Sequence, residues 1–106
     1  MRDLPVVFRE AALADIEEIV RYLRDQGANP GTAHAFVDRI KARCQRIGRV
    51  PEGNPARPDL GPGFRLAPFE HSAVIVYRLT DDTVEILRIY YGGRNYQQIM
   101  RGRPED

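Results

Sequence analysis

Arg88, Tyr90, Tyr91, Arg94 and Tyr96 crowd one short stretch near the end of the sequence. Arg88 interrupts a run that otherwise suits a strand, Val84-Glu85-Ile86-Leu87-Arg88-Ile89-Tyr90-Tyr91, and Gly92-Gly93 then turns the chain towards Arg94. A cation inside an apolar strand needs a partner or a task, because an ionised group is costly to bury alone. Guanidinium forks grip carboxylate and phosphate oxygens. A tyrosine offers a hydroxyl for proton transfer, or a ring that stacks on a base or packs into a core. The chemistry on offer is therefore anion binding, with acid–base work as the alternative.

Two further arginines lie in the strands that precede this one. Strict alternation puts Arg65 on one face with Ala67 and Phe69, Arg78 with Val74 and Val76, and Arg88 with Ile86 and Tyr90. If those faces coincide, three arginines converge on one surface. Otherwise each pairs with an acid such as Asp59, Glu70 or Glu85, or lays its stem along a sheet edge. Arg39, Arg43 and Arg46 are spaced i, i+4, i+7, which makes either a solvated helix face or a strip for an acidic partner. His34, His71 and the lone Cys44 are too scattered for a metal set, so neither metal nor cofactor is expected. There is no phosphate-binding glycine loop and no nucleophile elbow.

The elements that must position these residues are legible from periodicity. Pro5-Val6-Val7-Phe8 suits a short strand with the proline at its start. Leu13, Ile16, Ile19, Val20 and Leu23 recur at spacings of three and four, which predicts an amphipathic helix from about Ala11 to Gln26, stopped by Gly27. Asn29 as cap and Pro30 in the first turn open a second helix, whose apolar stripe is Ala33, Phe36, Val37, Ile40, Cys44 and Ile47. Gly48 and Pro51 are expected to end it. Cys44 lies on the apolar stripe and reads as a core thiol.

Pro51 to Gly63 is an irregular, Pro- and Gly-rich loop. Strands follow at Phe64–Phe69, Ser72–Leu79 and Thr83–Tyr91, with turns at Glu70-His71 and Asp81-Asp82. The middle one is apolar on both faces, as a central strand should be. The predicted class is α+β in the order β-α-α-β-β-β: a small antiparallel twisted sheet with an N-terminal helix hairpin packed on it.

At 106 residues the chain suits one domain, taken as 1–106, with room for one modest core. No apolar run is long enough to span a membrane. The single cysteine gives no sign of an oxidising compartment, so a cytoplasmic location is expected. The net charge of +1 hides an asymmetry. From Glu10 to Asp38 six acids face two bases, and from Arg39 to Arg65 seven bases face two acids. Lys41 is the only lysine, and this arginine bias suits an acidic or phosphate-bearing partner, although a GC-rich genome produces the same bias.

Three stretches together resemble the ParE/RelE superfamily of bacterial type II toxins: Ala11-Ala12-Leu13-Ala14-Asp15-Ile16, the run from Pro51 to Arg65 with Leu60-Gly61-Pro62-Gly63-Phe64-Arg65, and Glu85-Ile86-Leu87-Arg88-Ile89-Tyr90-Tyr91-Gly92-Gly93-Arg94. With the element order they cover about Val6 to Tyr96. The long helices, the Pro-rich loop ending in Gly-Phe-Arg, the strand ending in Arg88 and the single lysine look closer to ParE than to RelE. Two positions depart from the common ParE pattern, Tyr91 in place of His and Asn95 in place of Asp.

The ParE resemblance implies a non-enzymatic toxin that inhibits DNA gyrase and arrests growth, touching nucleic acid only through gyrase or the antitoxin. Its target-binding residues would be Arg65, Arg88, Tyr91, Arg94 and Tyr96, with the tail as far as Met100. The alternatives are a RelE-like ribosome-dependent mRNA endoribonuclease, with Arg65, Arg88 and Tyr91 as catalytic groups, or a degenerate, non-toxic antitoxin-binding module. Every version implies a ParD-like antitoxin that binds the apolar helix face at Leu13, Ile16 and Val20 and the basic strip Arg39, Arg43 and Arg46.

Overall fold

The computed structural model describes residues 3–92. Six elements follow the expected order: β1 (Val6–Phe8), α1 (Glu10–Asp25), α2 (Pro30–Arg49), β2 (Phe64–Phe69), β3 (Ala73–Leu79) and β4 (Val84–Tyr91). The strands form one sheet in the order β1-β4-β3-β2. The meander β2-β3-β4 is antiparallel, but β1 joins β4 in parallel, Val6 opposite Val84 and Phe8 opposite Ile86, so the sheet is mixed. The helix pair between β1 and the meander explains this. It carries the chain back along the sheet, as a parallel crossover requires.

Both helices start as the sequence suggests. Arg9 precedes α1 without a side-chain cap, whereas Asn29 caps α2 by accepting the Thr32 N–H at 2.8 Å. Gly27 ends the first helical run with φ +94°, a conformation that favours glycine. Gly48 does not stop α2, which continues to Arg49. Its task is close packing: the Leu4 N–H donates to the Gly48 carbonyl at 2.8 Å, and a Cβ on Gly48 would lie 2.7 Å from Leu4 O.

One core lies between the helix pair and the sheet. Ala12, Ile16 and Ile19 of α1, and Phe36, Ile40, Cys44 and Ile47 of α2, meet Ile75, Tyr77, Val84, Ile86 and Ile89. Full burial of one such isoleucine is worth about 1.5–3 kcal/mol. Leu13, counted above with the apolar stripe, is 47% exposed and faces away from this core. Among the described residues no helix is long and apolar enough to cross a membrane.

The tight turn between β2 and β3 places two non-glycine residues, Glu70 (φ +51°) and His71 (φ +60°), in the left-handed region. Such residues sit there at a cost. Glu70 is held there by Arg39 of α2, whose Nε donates to Oε2 at 2.7 Å and Nη2 to Oε1 at 3.2 Å.

Candidate functional site

The expected face for Arg88 changes at a β-bulge. Val76 lies opposite Arg88 and Tyr77 opposite Ile86, so Leu87 is an extra residue on β4. Ile86 therefore enters the helix-side core while Arg88 and Tyr90 face the other way. Arg65 lies opposite Tyr77 on the helix side, and Arg78 opposite Phe64. The three arginines do not converge on one surface.

Each arginine of the sheet has a local explanation. Arg78 Nε donates to Glu85 Oε1 at 2.9 Å, a pairing of the kind anticipated. Arg65 donates through Nη1 to the Asn54 carbonyl and so ties the 51–63 loop to β2. Tyr77 of β3, fully buried, ties down the same loop: its hydroxyl donates to Pro51 O at 3.0 Å and accepts from Asn54 at 3.3 Å, and burial pushes its pKa up.

Arg88 reaches past the sheet edge to α1. Its Nε donates to Asp15 Oδ2 at 2.8 Å and its Nη2 to Oδ1 at 3.0 Å, while Asp15 Oδ2 also accepts the Ile89 N–H at 2.8 Å. Hydrogen bonding to Asp15 raises the Arg88 pKa, and the guanidinium lies 5.1 Å from the Tyr90 ring centre. Asp15 was missed as a site residue. Separated from Arg88 by 73 positions, it leaves no local signal in the sequence.

Tyr91 faces the helices. Its ring packs edge-on against Phe36 (5.3 Å) and Tyr22 (5.6 Å), in an aromatic group that continues to Phe69. It lies opposite Ala73, four positions along β3 from the partner of Arg65, which separates the two by about 13 Å at 3.3 Å per residue. Arg65, Arg88 and Tyr91 are thus not gathered around a common point. Arg94, Tyr96 and the tail to Met100 lie outside the described residues.

On the outer side of the helix pair a groove of about 580 Å³ runs between α1 and α2. Ile16, Val20, Ala33 and Val37 supply its apolar lining, and Arg21 and Arg24 stand among its charged residues. Leu13, one turn before Ile16, extends this apolar line into solvent. Periodicity identified Ile16 and Val20; Arg21, Arg24 and His34 were missed because a helix face is fixed by what packs on the opposite side.

The strip Arg39, Arg43 and Arg46 is not part of this groove. Arg39 is engaged by Glu70, which raises the arginine's pKa and lowers its own. Arg43 and Arg46 have no ion-pair partner among the described residues. Nor do those residues hold a cluster of His, Cys, Asp or Glu that could bind a metal.

The family model for the ParE toxin of type II toxin-antitoxin systems, parDE, matches residues 6–96. No curated protein matches the chain. Among solved structures, a chain of the chromosomal ParDE toxin–antitoxin system from P. aeruginosa is similar at a TM-score of 0.72 and 22% identity, over 85% of this chain and 97% of that one. A chain of the RelBE2 toxin–antitoxin complex from Mycobacterium tuberculosis matches at a TM-score of 0.56 and 24% identity, over 84% and 98%. The E. coli DinJ-YafQ complex follows at 0.50 and 14%, over 84% and 92%. At these identities the solved structures establish a shared fold, and the family match across nearly the whole sequence establishes membership: the chain belongs to the ParE toxin family of type II toxin–antitoxin systems.

Proposed function

We propose that this protein arrests growth by binding DNA gyrase in the cytoplasm, without chemistry of its own, and that a ParD-like antitoxin neutralises it. The observation that favours binding over RNA cleavage is the dispersal of Arg65, Arg88 and Tyr91. A phosphodiester cleavage site needs cations and a proton carrier within hydrogen-bond reach of one phosphate. Here Arg88 is committed to Asp15 and Tyr91 packs in an aromatic group.

Arg65, Tyr91, Arg94 and Tyr96 remain the proposed gyrase-contacting residues. Arg88 serves them by fixing the end of β4, so its replacement by alanine lowers stability as well as toxicity. Leu13, Ile16 and Val20 would receive an amphipathic helix of the antitoxin in the α1–α2 groove. Arg43 and Arg46 would attract its acidic residues, while Arg39 is already occupied by Glu70.

The deciding experiment is ATP-dependent supercoiling of relaxed plasmid by purified gyrase with the folded, antitoxin-free protein. Inhibition with accumulation of cleaved plasmid is expected. Unchanged supercoiling, with codon-phased cleavage of mRNA on translating ribosomes, would instead establish the endoribonuclease alternative. Harmless overexpression of folded protein would point to a module that only binds antitoxin.

A further inference from the structure

Arg43, Arg46 and Arg49 follow one another at steps of three along α2, and no acid lies between Arg39 and Arg49. Each step is about 4.5 Å of rise and about 60° of turn, so the three form a slowly winding ridge about 9 Å long. None has an ion-pair partner among the described residues. Two acids of the adjoining loop and turn are already engaged, Asp59 by Arg57 and Glu70 by Arg39. The ridge continues onto the sheet. Burial raises the Tyr77 pKa, while a hydrogen bond with Asn54 and the charges of Arg65 and Arg43 oppose it, so one arginine of β2 and one of α2 approach the same phenol. Arg65 uses one N–H on the Asn54 carbonyl, and a guanidinium carries five.

The character of this face narrows its occupant. The large apolar side chains exposed among the described residues are Val7, Leu13, Tyr22 and Val50, and only Val50 adjoins the ridge in sequence. A protein partner draws its affinity from buried aromatic and aliphatic anchors. A polyanion needs none, because it binds by releasing its counterions to the protein's cations. Along about 9 Å a duplex presents about five phosphate charges, a density that three or four guanidiniums match. The other helix of the pair, α1, exposes Glu10, Glu17, Glu18 and Asp25, which repel the same polyanion and fix the side that turns towards it. A net charge of +1 adds little long-range attraction. The contact is therefore weak alone and gains strength once a second surface holds the protein beside the nucleic acid.

We propose that the ridge of Arg43, Arg46 and Arg49, continued by Arg65, binds the phosphate backbone of duplex DNA, and that in the gyrase complex it grips the DNA the enzyme holds. Phosphate contacts position a protein without reading sequence, so any duplex serves. Antitoxin acids that reach Arg43 and Arg46 then compete with DNA for them. The grip within the gyrase complex deepens the gyrase proposal and rests on it; binding to free duplex does not.

Fluorescence anisotropy of the free protein with two unrelated labelled duplexes tests the face itself. Both duplexes should bind alike, with a Kd of roughly 1–100 μM at about 0.1 M salt, the range of non-specific phosphate contact. Arg46→Gln/Arg49→Gln alters two exposed positions and should lower the slope of log K against log salt by about 2. Arg9→Gln/Arg24→Gln makes the same change in net charge at the two ends of α1 and should leave the slope unchanged. Circular dichroism checks that both variants fold. Equal losses in the two variants, no binding by the wild type, or tighter binding of single-stranded RNA would each overturn the inference. Supercoiling assays then separate the face from the gyrase reading. Inhibition weakened at least about fivefold in Arg46→Gln/Arg49→Gln is expected. Undiminished inhibition by that variant removes the DNA grip and leaves gyrase as target. A wild type that binds duplex but does not affect supercoiling keeps the phosphate-binding face and refutes gyrase.

Discussion

Asp15 Oδ2 receives hydrogen bonds from Arg88 Nε and from the Ile89 N–H, each 2.8 Å long. One carboxylate thereby neutralises a strand arginine and satisfies a peptide group that β1 is too short to reach. Its side chain is 15% exposed, so water replaces little of what its removal takes away. Asp15→Ala should destabilise the fold by about 2 kcal/mol, the scale for losing charge-assisted bonds and stranding their donors. Urea denaturation measures this; a loss below about 0.5 kcal/mol, the range of ordinary surface changes, would mean that the pair is dispensable.

Cys44 makes a second residue-scale prediction. Burial pushes its thiol up to about 12 from an ordinary 9.0. The folded state therefore keeps a proton that the unfolded state releases above pH 9. Any stability this group contributes is complete below that value and declines as the pH rises towards 12. The native thiol should resist a disulfide reagent at pH 8 and react only on unfolding. Rapid modification of folded protein would contradict its placement. The sequence marks Cys44 as core and Arg88 as anomalous, because each shows against its immediate neighbours. It does not mark Asp15, whose importance arises only when α1 is laid beside β4.

At the level of elements, the helices and strands are legible because their apolar residues repeat at the period of the structure they form. Two features escape that logic. Leu87 is an inserted residue, and everything after it in β4 changes face, so alternation counted from Ile86 misplaces Arg88. Gly48 reads as a helix stop but is an interior contact point between α2 and the segment leading into β1. A Cβ there would meet Leu4 O and Val6 Cγ2, each at 2.7 Å, and the former is backbone that cannot rotate aside. Gly48→Ala should cost about 1–3 kcal/mol through overpacking, despite alanine's better helix propensity. A thermal melt distinguishes this from a surface helix glycine, where the same change raises the melting temperature.

Over the whole molecule, the charge asymmetry along the sequence becomes a spatial one: α1 carries Glu10, Glu17, Glu18 and Asp25, whereas the second half of α2 carries Lys41, Arg43, Arg46 and Arg49. An acidic surface is attracted towards α2 and a basic one towards α1. Raising the salt concentration should therefore slow antitoxin association more than it speeds dissociation, since exposed charges act mainly on encounter. Stopped-flow association at two ionic strengths reads this directly; a salt-independent on-rate would leave only apolar contacts to guide docking. None of this partner geometry was legible from composition, which gives the sign of the charges but not which helix faces solvent.

The parallel pairing of β1 with β4 also sets a timetable for synthesis. β4 lies between β1 and β3, yet it is the last of the six elements to be made. On the ribosome, the helix pair and the β2–β3 hairpin emerge with no strand to join them to β1. The sheet closes only after Tyr91 has cleared the exit tunnel, because its longest-range contacts are also its central ones. A nascent chain halted before Val84 has no completed core and no closed sheet. Whatever surface this fold presents is thereby withheld from unfinished copies.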